Sequence, residues 1–556
     1  MSVAPPDFQP VSPRPPSQGF TRPANPFRPF APSPNWRADF SAGFLVFLIA
    51  LPLSLGIAMA SGVPPIAGIV TAVIGGIVTS LLGGAELTIK GPAAGLIVIC
   101  LGAVQELGGD DPLLGAKRMG AVVALAGVVQ VGMALLRLGK LGDAFPTAVV
   151  HGMLAAIGVI ILSKQIHTLM GVTPLAHEPL QLLAEIPQSL MRANPEVLGI
   201  GLVSLGVLFG LPKVPLAWLR KVPAPLVVLL VAIPLGALAD LAHPHFYQFN
   251  GHDYSVGPKY LVSLPSELLS AIPWMDASQL FTLVSLKYVV MFSLVGTIES
   301  LLSAKAIDAL DPRKGRSHLD RDLLATGIGN TLAGLVGALP MISEIVRSSA
   351  NLNNGARSRW ANVFHGLFML AFVGLVPGLL HLIPLSALAA MLIYTGVRLS
   401  SPKEFKHVLE IGVEQLGVFV ITMVVTLATD LLVGVAAGIV AKVLIHMVRG
   451  VHPRDLWQAR ITREPSEGDA VLLRVHSAAA FTNLLGLQRH IEHAADTAKK
   501  VVLDVSEVVL IDHTTLQRLH HLVDDLSRAG LDITLVGLEK LEATSDHPFA
   551  VRRQPV

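Results

Sequence analysis

Apolar segments follow one another from Phe40 to about Val448 in this chain, separated by short polar connections. A helix needs roughly 20 apolar residues to cross the hydrocarbon core of a bilayer. Hydrophobic residues make up 52% of the chain and charged residues only 14%. This combination is typical of a polytopic membrane protein and predicts a helical membrane domain, because a helix satisfies its own backbone hydrogen bonds in lipid.

The apolar segments define about fourteen predicted spans, several of them too short for a full crossing. In chain order the predicted spans are 40–60, 65–82, 92–105, 117–136, 145–163, 196–211, 223–241, 280–304, 320–338, 341–352, 361–379, 383–397, 413–429 and 431–448. The short segments 92–105 and 341–352 are predicted to be half-helices. A further helix near 180–190 is predicted to lie on the outer surface.

Composition divides the chain into four predicted parts. The Pro- and Ser-rich start predicts a disordered cytoplasmic tail, and the alternating strand-like and helix-like stretches after Val448 predict a small α/β domain. The predicted bounds are 1–36 for the N-terminal tail, 37–450 for the membrane domain, about 37–243 and 279–450 for its two halves, 455–545 for the α/β domain and 546–556 for a tail.

Several classes of function are excluded by the same composition. The net charge of +2 is too small to indicate nucleic-acid binding. The single cysteine, Cys100, excludes an internal disulfide and a cysteine-built metal site. The sequence has no Ser-His-Asp, Walker or CxxC pattern, so we predict no enzymatic activity and no cofactor, with Na⁺ as a candidate coupling ion only.

One polar segment interrupts the series of spans. Residues 337–355 read GALPMISEIVRSSANLNNG, with Pro340 at the predicted start of a half-helix and Asn354-Gly355 at its end. Residues 75–95 and 327–347 share a Gly-spaced helix, a short connector and then a proline, Pro92 or Pro340. Paired interruptions of this kind predict an inverted-repeat transporter whose site lies between two helix N-termini, where backbone amides attract anions.

Ionisable residues inside the predicted spans are candidates for function. Arg347 can add a full positive charge to the anion site, or it can pair with Glu344 or Glu299. Glu299 lies deep in an apolar span, and Ser303 shares its helical face and is a candidate oxygen ligand for Na⁺. Glu299 and Glu344 form a coupled titrating pair if their spans face each other. Lys90 either attracts anions or lies in a cytoplasmic mouth.

Lys and Arg predict the orientation. They concentrate in alternate loops, for example Arg137 with Lys140 and Lys403 with Lys406, and these loops share a side with both termini if the number of spans is even. We therefore predict a multi-pass protein of the bacterial inner membrane with both termini in the cytoplasm.

Four stretches resemble the sulfate permease (SulP) family of anion transporters and the STAS domain that usually follows in it. They are LPLSLGIAMASGVPPIAGI at 51–69, GPAAG at 91–95, GALPMISEIVRSS at 337–349 and VVLDVSEVVLIDHTTLQRLHHL at 501–522. The resemblance implies seven plus seven spans in inverted repeat, with a core domain that carries the anion and a gate domain beside it.

The resemblance also implies the site residues. The anion is expected between the N-termini of the third and tenth spans, at Ala93, Ala94, Gly95, Ser343, Glu344, Ile345, Val346 and Arg347. Leu53 and Ile57 stand where many relatives have Gln and an aromatic residue, which leaves Ser54 as the nearest hydroxyl of the first span. Glu344 is an acid at a position that is usually small or hydroxylic. The position of Glu299 is linked in the family to cation coupling.

In the STAS domain, the turn at Asp512-His513-Thr514-Thr515 occupies the place where related antagonist proteins carry a phosphorylated serine. Thr514 is either a phosphorylation site or the N-cap of a helix, and we favour the N-cap. The family suggests a homodimer and a regulatory partner for this domain.

The sequence therefore predicts a secondary active transporter of a small inorganic oxyanion, bicarbonate or sulfate, symported with H⁺ or Na⁺ by an elevator-like movement. Two alternatives remain open at this point. One is a nucleobase–cation symporter of the same fold, in which Glu299 and Glu344 bind the base. The other is a membrane sensor that signals through the STAS domain.

Overall fold

The structure is a computed structural model. It describes residues 35–555, apart from 141, 143–144, 177, 216–221, 264–273, 312, 314–316, 467–469, 499 and 529. The predicted N-terminal tail, 1–36, lies outside the described residues except for its last two. The described chain forms a helical domain followed by a small domain with a mixed sheet.

The first half of the helical domain contains eight labelled helices in the described residues. They are α1 (Trp36–Ala60), α2 (Pro65–Leu82), α3 (Ile97–Gly108), α4 (Pro112–Leu135), α5 (Thr147–Leu169), α6 (Pro179–Met191), α7 (Pro195–Gly210) and α8 (Ala224–Leu238). Their starts follow from local sequence: Pro112 occupies the first turn of α4, and the Asp111 side chain accepts hydrogen bonds from the amides of Leu113 and Leu114 at 2.9 and 3.1 Å.

The second half contains another eight labelled helices. They are α9 (Leu283–Leu310), α10 (Leu319–Leu335), α11 (Ile345–Asn353), α12 (Trp360–Leu375), α13 (Leu385–Leu399), α14 (Pro402–Ile411), α15 (Val413–Ala428) and α16 (Leu431–Val448). When α6 and α14 are set aside, each half contributes seven helices at the positions of the predicted spans, which confirms the predicted fold class. Of the helices described, seven are long and apolar enough to cross a membrane on length and composition alone.

Close helix crossings are built on glycine. Added Cβ atoms on Gly127 of α4 and Gly327 of α10 would each overlap the backbone of the other helix, and the same holds for Gly158 of α5 and Gly396 of α13. Small residues let helix backbones approach in a membrane, where van der Waals packing rather than the hydrophobic effect drives association. These crossings fix the rigid frame around the interrupted segments.

The interrupted segments contain strands that the sequence did not predict. Strand β1 (Ile89–Pro92) pairs antiparallel with β4 (Met341–Glu344), with Ile89 opposite Glu344 and Pro92 opposite Met341. The predicted helix starts at Pro92 and Pro340 are therefore wrong: a 3₁₀ turn begins at Ala94 before α3, and α11 begins at Ile345. The physical reason is non-local, because each strand is stable only through its partner from the other half.

Between the two halves, strands β2 (His245–Phe249) and β3 (His252–Val256) form a hairpin. Its turn, Asn250-Gly251, has φ values of 50° and 78°. Asn and Gly tolerate this left-handed backbone, which matches the twist of the flanking strands.

In its described residues the C-terminal domain contains six strands and two longer helices, which agrees with the predicted α/β class. Its elements are β5 (Arg460–Ser466), β6 (Ala470–Ala479), α17 (Leu484–Ala495), β7 (Lys500–Ile511), α18 (His513–Arg528), β8 (Asp532–Val536), β9 (Glu542–Ala543) and β10 (Arg552–Arg553). Strand β7 pairs in parallel with β6 and β8. The interval 546–556, predicted as a tail, contains β10, which pairs with the end of β7.

The C-terminal domain contacts one end of the helical domain through polar side chains. Lys140 Nζ lies 2.6 Å from the Glu492 carboxylate, and Ser545 Oγ donates to the carbonyl of Ile411 at 2.8 Å. The loop before α5 and the helix α14 are thus on the same side of the molecule as the C-terminal domain. The basic loops that predicted the orientation are among these segments.

Candidate anion site

The β1–β4 ladder brings the two interrupted segments together. The two strands pair antiparallel over four positions. The chain continues toward α3 after Pro92 and into α11 after Glu344, and these two residues lie at opposite ends of the ladder. The ladder is supported from α10, where Asn330 accepts from the amide of Met341 at 2.7 Å and donates to its carbonyl at 3.1 Å. The predicted meeting of the two half-helices is therefore found, with a strand pair between them.

Arg347 lies in the first turn of α11 and is completely buried. Its Nη1 donates to Ser54 Oγ of α1 and its Nη2 donates to the carbonyl of Pro92, each at 3.4 Å. An added Cβ at Gly91 would lie 2.6 Å from Nη1, so a glycine on β1 is what lets the guanidinium approach the strand. Arg347 Nε has no hydrogen-bond partner among the described residues. This arrangement holds a full positive charge next to the start of α3.

Two carboxylates meet the same helix start. Glu344 Oε1 accepts from the amide of Ala94 at 3.3 Å, and Glu344 Oε2 lies 3.9 Å from Arg347 Nε. Glu299, on α9, packs its carboxylate so tightly against Gly95 that an added Cβ there would overlap both oxygens. Glu299 is 7% exposed, and its Oε1 has no hydrogen-bond partner in the described part of the chain. The structure thus brings Glu299, Glu344, Ala94 and Gly95 together.

The other predicted site residues have different surroundings. Ala93 is buried in the apolar core with Ile57, while Leu53 is partly buried in a second apolar cluster. Ile345 and Val346 are 45% and 39% exposed, so their side chains are not buried with Arg347. Ser303 lies one helical turn after Glu299 and is partly buried. Of the two pairings predicted as alternatives, Arg347 lies at ion-pair distance from Glu344, at 3.9 Å, whereas in the described chain no ion pair within 4.0 Å joins it to Glu299.

Lys90 belongs to a buried polar chain that the sequence did not reveal. Its Nζ lies 2.5 Å from Asp322 Oδ2 and also donates to Ser343 Oγ, and both charged side chains are 1% exposed. Ser343 in turn bonds Ser300 through its amide and its hydroxyl, each at 3.1 Å. Lys90 therefore neither lies in an open mouth nor carries a free charge. Lys90 links β1, β4 and α10, and through Ser343 it reaches Ser300, the residue that follows Glu299 on α9.

His365 on α12 is a further buried side chain near the site. It is completely buried, and neither ring nitrogen has a hydrogen-bond partner among the described residues. Its imidazole lies within electrostatic range of the Arg347 guanidinium, which disfavours a second positive charge there. No spacing in the sequence places His365 near Arg347, because their proximity depends on how α12 packs against α1.

The predicted regulatory turn of the C-terminal domain faces the helical domain. Asp512, not Thr514, caps α18: its Oδ1 accepts from the amide of Thr515 at 2.7 Å, so the N-cap assignment of Thr514 is wrong. Thr514 Oγ1 instead accepts from the amide of Thr147 at 3.2 Å and is 1% exposed. Burial lowers the pKa of the neighbouring His513 to about 4, although its bond to the Phe549 carbonyl opposes that shift.

Family models match most of the chain. The model of the sulfate permease family matches residues 36–424, and that of the STAS domain matches residues 462–541. The chain belongs to the sulfate permease family. The family and its STAS domain were the resemblance drawn from the sequence, and both are confirmed.

Relatives match along nearly the whole chain. The putative sulfate transporter YvdB of Bacillus subtilis is 27% identical, with 91% of this chain and 92% of the relative covered. The bicarbonate transporter BicA of Synechocystis is 25% identical, with 91% of each covered.

Solved structures show the same fold. The transmembrane domain of a cyanobacterial bicarbonate transporter BicA matches with a TM-score of 0.62 and 23% identity, over 74% of this chain and 98% of that one. The murine anion transporter Slc26a9 in its inward-facing state matches with a TM-score of 0.63 and 14% identity, over 91% of this chain and 86% of that one.

Proposed function

We propose that this protein is a secondary active transporter of a small inorganic oxyanion, bicarbonate or sulfate, in the bacterial inner membrane. The observation that carries the proposal is the buried guanidinium of Arg347 beside the amide end of α3. Backbone amides at a helix start and a planar fork of donors are what an oxyanion needs when it gives up water. The names of the relatives, sulfate and bicarbonate transporters, support this class of substrate.

Coupling to H⁺ or Na⁺ is assigned to Glu299. Its carboxylate lies beside Gly95, almost fully buried and with one oxygen unpaired in the described structure. A buried carboxylate is most stable when it holds a proton or a cation, so binding of either favours the anion that must enter next to it. Ser303, one turn further along α9, supplies a candidate oxygen for Na⁺, and the bound ion is cargo rather than a resident cofactor.

An elevator-like movement is supported by the contact of α9, which we assign to the core domain, with α5 and α16, which we assign to the gate domain. A small gap between α5, α9 and α16 is lined by apolar side chains: Phe145, Val149, Val150, Met153, Leu294, Val295, Ile298, Leu432 and Val435. Sliding one apolar wall past another breaks no hydrogen bonds. The core, with α9 and the anion, can therefore shift against α5 and α16 at low energetic cost.

We extend the proposal to the assembly. The STAS domain contacts a basic loop of the membrane domain, and the positive-inside rule supports a cytoplasmic location for this side and for both termini. A homodimer and a regulatory partner at the STAS domain are part of the proposal and rest on the family. The nucleobase carrier and the sensor are not favoured, because the relatives described are transporters of inorganic anions.

Uptake into proteoliposomes tests the proposal. Labelled bicarbonate and sulfate are offered to the purified protein with an imposed proton gradient, a sodium gradient or neither. We expect saturable uptake of one of the two anions, driven by one of the two gradients. Glu299→Gln should leave exchange of the anion across the membrane but abolish its dependence on the gradient.

A matched control uses Glu410, whose side chain is 58% exposed and pairs with Lys406 at 3.9 Å. Glu410→Gln should transport like the wild type. Gradient-driven uptake that persists in Glu299→Gln would remove this residue from the coupling role. Failure of the wild type to take up either anion would contradict the function itself.

A further inference from the structure

We propose that the carboxylate of Glu344 is a tethered competitor of the transported anion. In this structure it occupies the amide end of α3, and it must leave when the anion binds. The inference rests on the proposed function and adds that a side chain of the protein itself occupies the anion site when no anion is bound.

The first step is the contact with α3. Glu344 Oε1 accepts from the amide of Ala94 at 3.3 Å. A carboxylate oxygen and an oxyanion oxygen require the same donor, and one amide hydrogen cannot serve both fully. The side chain of Glu344 is 13% exposed, so the carboxylate is not sealed from solvent as the guanidinium of Arg347 is.

The second step is an alternative hydrogen-bond donor for the Glu344 carboxylate. Arg347 Nε is buried, has no hydrogen-bond partner among the described residues, and lies 3.9 Å from Glu344 Oε2. A small rotation of the Glu344 side chain toward Nε converts this separation into a charge-assisted hydrogen bond. The carboxylate therefore has two positions, one on the Ala94 amide and one on Arg347.

The third step is the charge around Glu344. Glu299 faces it from α9 and repels it, whereas Arg347 on its own helix attracts it. Lys90, on the paired strand, is neutralised by Asp322 and adds no net charge. While Glu299 is ionised, its charge loosens Glu344 from Ala94, and once Glu299 holds its proton or cation the incoming anion can take the amide. Among the described residues, Arg347 has no anionic partner within 4.0 Å other than Glu344. It is therefore available to stabilise the displaced carboxylate.

The consequence is that the site binds the anion more weakly, because the Glu344 carboxylate competes for the same amide. If Glu344 covers the amide about nine-tenths of the time, the apparent Kd for the anion is roughly tenfold higher than for an open site. Removing the carboxylate should therefore tighten binding, which is the opposite of what loss of an anion-binding residue would do.

The test measures equilibrium binding and transport of sulfate and bicarbonate by full-length protein. Binding is followed through the rise in melting temperature with anion concentration in detergent, and transport through the KM in proteoliposomes. Glu344→Ala removes the competing oxygen, and Glu344→Gln keeps the shape without the charge. We expect roughly tenfold lower Kd and KM in Glu344→Ala and a smaller decrease in Glu344→Gln.

Glu86→Gln is the control, because Glu86 also lies near β1, but its side chain is 55% exposed and pairs with Arg359. It should bind the anion like the wild type. An unchanged or higher Kd in a folded Glu344→Ala, while the wild type binds and transports the anion, would overturn the competitor role alone. Absence of any anion binding by the wild type would overturn the proposed function, and the competitor role with it.

Discussion

Lys90 of β1 and Asp322 of α10 form an ion pair that is buried inside the membrane domain, with Nζ and Oδ2 2.5 Å apart. Asp322 also accepts from the amide of Ala85 at 3.0 Å, and Lys90 reaches Ser343 on the opposite strand. The pair thus ties together three segments from both halves of the repeat. Its place directly behind the anion site makes it the structural anchor of the β1–β4 ladder.

Breaking this pair from one side should be costly. Lys90→Met leaves a buried carboxylate without its cation, and Asp322→Asn leaves a buried ammonium; each is expected to cost about 3–5 kcal/mol of stability. The double variant Lys90→Met/Asp322→Asn should recover most of that loss. Melting temperatures of the purified protein in detergent measure the effect.

The exposed pair Lys406–Glu410 provides the control for that series. Its side chains are 79% and 58% exposed, and such pairs contribute at most about 1 kcal/mol. Lys406→Met should therefore melt close to the wild type. Single variants at Lys90 and Asp322 that melt equally close would contradict the anchoring role.

Gly95 should tolerate no side chain. An added Cβ would overlap the carboxylate of Glu299, so Gly95→Ala must push that carboxylate out of its position. We expect loss of gradient-driven uptake without loss of folding, since the strain falls on one side chain. Uptake assays with a melting curve for each variant distinguish the two effects.

Gly206 of α7 is the matched control, because a Cβ there would meet nothing within 4 Å. Gly206→Ala should keep full uptake and gain up to about 1 kcal/mol of helix stability. Normal coupling in Gly95→Ala would show that Glu299 does not need its place against the start of α3.

The spans could be predicted from sequence because hydropathy is a local property. Long apolar helices such as α1 and α4 begin and end near their predicted limits, since proline, capping residues and polarity are read within a few residues. The helix α6 near 180–190 was found for the same reason. Its placement on the outer surface stays a prediction.

The interior of the site could not be predicted in the same way. The ladder of β1 and β4 joins residues about 250 positions apart, and a four-residue strand carries no periodic signal of its own. Lys90 and Asp322 are paired by the same long-range contact. Arg347, Glu299 and Glu344 were identified because ionisable residues in apolar spans stand out, but the contact of Glu344 with Ala94 required coordinates.

Acid should destabilise the STAS domain through His513. This histidine is buried beside the membrane domain, and its pKa is lowered to about 4, compared with 6.5 for an unperturbed side chain. Between these pH values the unfolded chain holds the proton and the folded domain does not. The contribution of His513 to stability is therefore fully present above pH 6.5 and is lost as the pH is lowered from 6.5 to 4. The loss amounts to at most about 3 kcal/mol.

Hydrogen exchange of β6 and β7 in the full chain, corrected for the intrinsic effect of pH, measures this loss. His513→Asn keeps a donor for the carbonyl of Phe549 but does not titrate, so its protection should change less between pH 7 and pH 5. Equal changes in both proteins would assign the pH dependence to other groups, such as His547, whose pKa is also lowered by burial.

A negative charge at Thr514 should undock the STAS domain. Thr514 is 1% exposed and lies two residues after Asp512, and its hydroxyl accepts a hydrogen bond from the amide of Thr147 at the start of α5. Thr514→Glu buries a carboxylate beside another carboxylate, and both desolvation and repulsion oppose that. We expect hydrogen exchange to rise at the start of α5 and at the start of α18, while the β7 core of the domain stays protected.

Ser527→Glu, at an exposed position of α18, should change neither region. Unaltered exchange in Thr514→Glu would show that this turn does not hold the two domains together, and a phosphate at Thr514 would then have no route to the transporter through this contact.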